Sequence, residues 1–163
     1  MAGAIVLIGP MGSGKTTLGK KLAKELGLQF IDTDKQIAGD HGPITKLFET
    51  RGEEYFRDLE SQYLESALEQ PAVVATGGGA ILRQRNQDLI SKHHVIFLDT
   101  SAEHVIGKVN MAKRPLIRDN PERWKEIYDA RLSTYQALAK QTVFTGGRPI
   151  KKLIQEIRDG LGI

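Results

Sequence analysis

The chain has 163 residues, 40% of them apolar and 26% charged, a composition that fits one soluble domain with an ordinary core and points away from disordered and membrane classes. It has no cysteine, which rules out disulfides, thiolate zinc sites and a cysteine nucleophile, and suits a reducing compartment such as the cytoplasm. The net charge of +3 arises from 23 basic and 20 acidic residues interleaved along the chain, which weighs against a nucleic-acid partner and suits small anionic substrates.

The run Ala4-Ile5-Val6-Leu7-Ile8, stopped by Gly9-Pro10, is continuous and β-branched, the pattern of a strand buried on both faces. It is too short for a signal-peptide core, and no apolar stretch reaches transmembrane length, so no membrane partner is expected. Leu18, Leu22, Ala23 and Leu26 then recur at helical spacing before a Gly27 stop, so the opening unit is strand, loop, helix. Further strands are predicted at 29–31, 72–75, 95–98 and 142–144, and helices at 33–37, 44–50, 53–69, 102–107, 121–140 and 149–160. Alternation of this kind predicts an α/β fold with a parallel sheet. Residues 108–120 mix Lys, Arg, Pro and Asn between two helical patterns and read as a flap. Without repeats or a linker, residues 1–163 read as one domain.

Gly9-Pro-Met-Gly12-Ser13-Gly14-Lys15-Thr16 matches G-x-x-x-x-G-K-[ST] in the setting that motif requires, after a buried strand and before an amphipathic helix. The glycines let backbone N–H groups wrap phosphate oxygens at a helix N-terminus. Lys15 would reach the β- and γ-phosphates, and the Thr16 hydroxyl would join a Mg²⁺ shell. The bland alternative is a glycine-rich turn capped by threonine.

Asp32 and Asp34 follow the second predicted strand, at the sheet edge where open α/β sheets bind ligands. In extended geometry the two would face one side. One could hold a water of the Mg²⁺ shell and the other accept a hydrogen bond from an attacking hydroxyl, or the pair could cap the next helix. An ordinary aspartate pKa of roughly 4 makes Asp34 a weak base and favours orientation of the hydroxyl over early proton removal. Arg57, in Phe56-Arg57-Asp58-Leu59-Glu60, reads equally as a solvated helix face or a site cation. Thr76-Gly77-Gly78-Gly79-Ala80 lets backbone approach a ligand unobstructed. Arg114, in Arg114-Pro115-Leu116, could swing over a transferring phosphoryl group. Trp124 reads as helix packing, and His93 and His94 as turn or surface residues.

Set in order, these pieces resemble the shikimate kinase family: phosphate loop, Asp-x-Asp, Phe-Arg-x-x-Glu, triple glycine, Arg-Pro-Leu, and Arg131 four residues before Tyr135. The resemblance covers residues 5 to about 150. It implies a three-layer α/β/α P-loop fold with a five-stranded parallel sheet, and transfer of the γ-phosphate of ATP to the 3-hydroxyl of shikimate, with Mg²⁺. It assigns Gly12, Ser13, Gly14, Lys15, Thr16, Thr17 and Arg114 to the nucleotide, Thr16 and Asp32 to the metal, and Lys15, Asp34 and Arg114 to catalysis. Asp34, Arg57, Gly78, Gly79 and Arg131 would hold shikimate, the two arginines gripping its carboxylate. Residues 32–60 would form the substrate-binding part and 108–120 the lid. Where the family carries an arginine against adenine, this chain has Gly107-Lys108, and Ser133-Thr134 replaces the usual Pro-Leu before tyrosine. Arg148, in Gly147-Arg148-Pro149 after the last strand, is the candidate second wall for the base. A monomer is expected. The rivals are another small-molecule kinase of the same design, acting on gluconate or a nucleoside monophosphate, and a non-catalytic nucleotide-binding module.

Overall fold

The computed structural model describes residues 3–108 and 121–163; the expected lid from 109 onward, with Arg114, lies outside them. Five strands, β1 (Ile5–Ile8), β2 (Gln29–Asp32), β3 (Ala72–Ala75), β4 (His94–Asp99) and β5 (Gln141–Phe144), form one parallel sheet in the order β2-β3-β1-β4-β5. The helices among the described residues are α1 (Lys15–Leu26), α2 (Thr33–His41), α3 (Ile44–Leu68), α4 (Gln84–Ile90), α5 (Ala102–Lys108), α6 (Pro121–Leu138) and α7 (Ile150–Leu161). The expected α/β class, the five strands and their parallel pairing all hold.

β1 explains why the sheet has helices on both faces. All four of its residues are fully buried, and alternation sends them to opposite sides. Ile5 and Leu7 pack with Leu18 and Leu22 of α1 and with Leu153, Ile154 and Ile157 of α7. Val6 and Ile8 pack with Leu64 of α3, Ile90 of α4 and Tyr135 of α6. Full burial of each such side chain stabilises the fold by about 1.5–3 kcal/mol. Parallel strands all end on one edge of the sheet. The chain runs outward from β1 to β3 and β2 on one side and to β4 and β5 on the other, so a crevice opens beyond its carboxyl end.

The structure refines several boundaries. Two helices predicted at 44–50 and 53–69 are joined as α3, but Gly52 breaks the helix with φ 85° and ψ 167°, so the reading of two segments was physically sound. Helix α4 had no counterpart in the sequence reading: it is seven residues long and mostly polar. The larger correction concerns the second strand. Asp32 and Asp34 are not an extended pair on one side of a strand. Asp32 ends β2 and is the N-cap of α2, accepting from Lys35 N at 3.1 Å, and Asp34 sits in the first helical turn. An N-cap aspartate satisfies an orphan amide that extended geometry would leave to water. His94 opens β4 half-buried, and His93 accepts a hydrogen bond from Ala4 N through Nδ1 at 3.1 Å.

Two helical glycines differ in what surrounds them. A β-carbon on Gly19 would lie 2.4 Å from the Phe30 ring, whereas one on Gly39 would meet nothing within 4 Å. Gly39→Ala is therefore expected to stabilise the fold by about 0.5–1 kcal/mol, and Gly19→Ala to destabilise it by about 1–2 kcal/mol through overpacking. Urea midpoints measured at unchanged slope check both.

Candidate active site

The turn after β1 makes the phosphate cradle. Gly14 takes the left-handed conformation at φ 94° and hands the chain to α1, whose first-turn amides have no partner within the helix. The Lys15 ammonium is tethered to the carbonyls of Gly9 at 2.7 Å and Pro10 at 3.0 Å. One residue on, the Thr16 hydroxyl donates to the Asp32 carboxylate at 3.1 Å. No cluster of three or more carboxylate, histidine or cysteine ligands occurs among the described residues. The Thr16–Asp32 oxygens instead suit an ion such as Mg²⁺, which keeps waters and phosphate oxygens and takes only one or two protein ligands.

The cradle opens into a cleft of about 700 Å³, lined in part by Lys15, Thr16, Asp32, Asp34, Gly78 and Arg131. Its far wall is the glycine turn after β3, and two of the glycines there each clear a particular group. A β-carbon on Gly77 would fall 2.5 Å from the Asp34 carboxylate, and one on Gly79 would fall 2.5 Å from both terminal nitrogens of Arg57. The Gly78 carbonyl accepts from Arg131 at 2.9 Å. Arg57 is also held by Glu60 at 2.8 Å and Glu53 at 3.3 Å. Its side chain is only 14% exposed and that of Glu60 only 2%, which removes Arg57 from the class of solvated surface pairs.

Burial, then the neighbouring Glu60 and Asp32 carboxylates, push the Asp34 pKa up to about 6, while Lys15 and Arg57 pull against that rise. This replaces the ordinary value expected from sequence: Asp34 remains largely ionised at neutral pH but is a better proton acceptor than a free aspartate. Its buried Oδ1 has no hydrogen-bond partner among the described residues, and an unmet acceptor of this kind suits a ligand hydroxyl. Burial also raises the Glu60 pKa, opposed chiefly by Arg57.

A second cavity of about 200 Å³ lies across the cradle; Gly12, Gly14 and Thr17 line both spaces, while Ser13, His104 and Arg148 line the second. Arg148 is fixed by its bonds to Phe144 O at 2.8 Å and Glu156 at 2.9 Å. The structure thus brings Gly12, Ser13, Gly14, Lys15, Thr16, Thr17, Asp32, Asp34, Gly78, Arg131 and Arg148 around two adjoining spaces; Gly79 and Arg57 lie against each other just outside both linings, and Arg114 lies outside the described residues.

Sequence reading left Glu60 without a role, although it stands in the quoted Phe-Arg-x-x-Glu run. It also underrated Trp124, which packs as expected, stacking on Tyr128, but lines the cleft and donates to Met11 O of the cradle at 2.7 Å. The signal was available as a helical face: Trp124, Tyr128, Arg131 and Tyr135 recur at spacings of four, three and four.

Known proteins resemble the chain in sequence and in fold. A family model described as shikimate kinase matches residues 11–161. A shikimate kinase from Streptomyces avermitilis is 37% identical over 161 residues, covering 96% of this chain and 94% of that protein. Among solved structures, a shikimate kinase from Acinetobacter baumannii in complex with shikimate has a TM-score of 0.91 at 35% identity, over 98% of this chain and 93% of that one. A gluconokinase from Sinorhizobium meliloti, at TM-score 0.57 and 20% identity over 98% of this chain and 91% of that one, shares the fold alone. With nearly its whole length matched in sequence and in backbone, the chain belongs to the shikimate kinase family.

Proposed function

We propose that the cleft holds ATP against the cradle and presents the 3-hydroxyl of shikimate to its γ-phosphorus, giving shikimate 3-phosphate and ADP. The observation that carries this reading is the convergence of one carboxylate and two guanidinium groups, Asp34, Arg57 and Arg131, on the glycine turn facing the cradle. Shikimate has one carboxylate and several hydroxyls, and planar guanidinium groups grip a carboxylate through paired hydrogen bonds. Arg57 and Arg131 take that end, and the open Oδ1 of Asp34 accepts from the 3-hydroxyl. Gly78, in the cleft lining, leaves room for the ring, and Gly79 leaves room for the guanidinium of Arg57.

As the bond from the 3-oxygen to phosphorus forms and the bond from phosphorus to the ADP oxygen breaks, the hydroxyl proton passes to the Asp34 carboxylate and then to water. A loose transition state asks mainly for alignment and charge neutralisation, so a carboxylate of pKa about 6 suffices. Lys15 neutralises the terminal phosphates, as does Arg114, for which its place in the Arg-Pro-Leu motif is the support. Thr16 and Asp32 would hold Mg²⁺, Asp32 through a water, and the ion when bound supplies further neutralising charge on the phosphate oxygens. Gly12, Ser13, Gly14 and Thr17 hold the phosphates, and Arg148 bounds the base.

No helix among the described residues is long and apolar enough to cross a membrane. The chain is read as one domain working in the cytoplasm, with 32–60, which carries Asp34 and Arg57, as its substrate-binding part.

A coupled assay offering shikimate, gluconate and AMP in turn tests the reaction, and shikimate alone is expected to drive ADP release. Gly79→Ala and Arg57→Ala should each raise the KM for shikimate about tenfold or more, since both remove or displace one guanidinium, with the KM for ATP changed far less. Equal damage to both constants would take Arg57 out of the acceptor site.

Asp34 links activity to stability. Its pKa rises from 3.8 in an ordinary aspartate to about 6 in the fold, so between these values the folded state binds more protons than the unfolded chain. Stability therefore falls as pH rises from about 4 to about 6, while kcat/KM falls about tenfold per unit as pH drops below about 6. Asp34→Asn is expected to remove that slope in stability, to gain about 1–3 kcal/mol near neutral pH, and to lose roughly 100-fold or more in kcat. Urea titrations across pH and steady-state rates check the pair, and an active, no more stable Asn variant would refute it.

A further inference from the structure

The second cavity contains an aromatic ring that the reaction just described leaves unused. His104 projects from α5, and its Nδ1 lies 2.8 Å from the Ser101 hydroxyl. Its ring meets Phe144 edge-on, with centroids 5.8 Å apart and planes at 81°. Opposite stand two glycines of the loop after β5. A β-carbon on Gly146 would lie 2.7 Å from the His104 ring, and one on Gly147 would lie 3.1 Å from Nε2. The loop is tied to the phosphate cradle as well, because the Thr145 hydroxyl donates to Ser13 O at 2.8 Å. The imidazole is therefore held from three sides at a fixed separation from the cradle. Large apolar side chains stay open here: Ile150, which lines the cavity, is 43% exposed, and Phe144, which touches the ring, is 41% exposed. Exposed apolar groups around a small cavity beside a phosphate site suit a flat heteroaromatic ring.

We propose that His104 is an affinity-determining wall of the nucleotide site, the face against which the base of ATP packs. This rests on the reading that the adjoining cradle takes the phosphates of ATP. Stacking of a base on an aromatic side chain is sequence-tolerant and strong enough to change affinity several-fold to more than tenfold. The imidazole then governs how firmly the base is held, while Lys15 and the cradle amides govern the phosphates. The Ser101 bond and the Phe144 edge keep the ring in place before nucleotide arrives, so little freedom is lost on binding.

Binding of ADP and of inorganic tripolyphosphate, a probe without a base, separates this role from simple packing. His104→Ala should weaken ADP roughly tenfold and leave tripolyphosphate within about twofold, and His104→Phe, which keeps a ring, should recover most of the ADP affinity. In turnover the loss should appear mainly in the KM for ATP. ADP affinity unchanged in the Ala variant, or equal weakening of ADP and tripolyphosphate, would overturn the proposal. If His104→Ala does not fold, Gly146→Ala decides, because its new β-carbon must displace the ring: selective loss of ADP supports the wall, and unchanged ADP affinity overturns it. Shikimate-dependent turnover by the unaltered chain is measured in parallel; its absence would defeat the assigned reaction and leave the contrast between ADP and tripolyphosphate readable.

Discussion

Three charged side chains from three different helices meet behind β3 because the backbone between them carries no β-carbons. Gly77 admits the Asp34 carboxylate, Gly79 admits the Arg57 guanidinium, and the Gly78 carbonyl receives Arg131. A single tight turn would be met by one glycine; Gly77 and Gly79 answer two separate close approaches, whereas a β-carbon on Gly78 would lie 3.4 Å from Arg131, an ordinary contact. The acceptor site is in this sense a property of the turn. Each helix presents its charge, and the glycine backbone sets how near the charges stand to each other and to the cradle.

That crowding explains the electrostatics. Asp34 is largely buried beside Glu60 and Asp32, which raises its pKa, and only Lys15 and Arg57 among its larger influences resist. Removing a charge from water costs stability unless an opposite charge or hydrogen bonds compensate. Arg57 is shared in this balance, because it is bonded to the buried Glu60 at 2.8 Å and offers less to Asp34 than an undivided cation would. The fold thus holds a carboxylate with an unmet acceptor in a place where ionisation is costly, as a site expecting a hydroxyl donor should.

The fold was legible in the sequence wherever burial was complete. Ile5–Ile8 and Ala72–Ala75 carry no polar residue, so nothing competes with reading them as central strands. The phosphate cradle was legible because its glycines, lysine and threonine each serve a distinct physical need. Asp32 and Asp34 were identified as site residues with two local geometries left open, of which the cap holds for Asp32, because an aspartate after a strand continues it or caps the next helix with the same letters. Helix α4 was missed because its polar residues show no apolar stripe. Glu60 was quoted in a motif yet left without a role, since nothing local distinguishes a buried glutamate from an exposed one on a charged helix. Its burial comes from packing against elements distant in sequence, and the guanidinium groups that compensate it belong to Arg57, Arg131 and Arg83.

One helix connects the two substrate halves. On α6, Trp124 donates to Met11 O in the cradle, and Tyr128 donates at 2.7 Å to Asp99 at the end of β4. One turn further, Arg131 reaches Gly78, and Tyr135 stacks on Phe97 inside the core at 4.9 Å. These positions share one helical face, so the helix behaves as a rigid ruler: anchored at Tyr135, braced at Asp99, and touching the phosphate cradle at one end and the acceptor turn in its middle. In-line transfer requires the two reactants to be aligned to within fractions of an ångström. A helix bonded to both sides meets that requirement more securely than two independently mobile loops, because a shift at the cradle is carried through packed side chains to Arg131 without passing through the sheet.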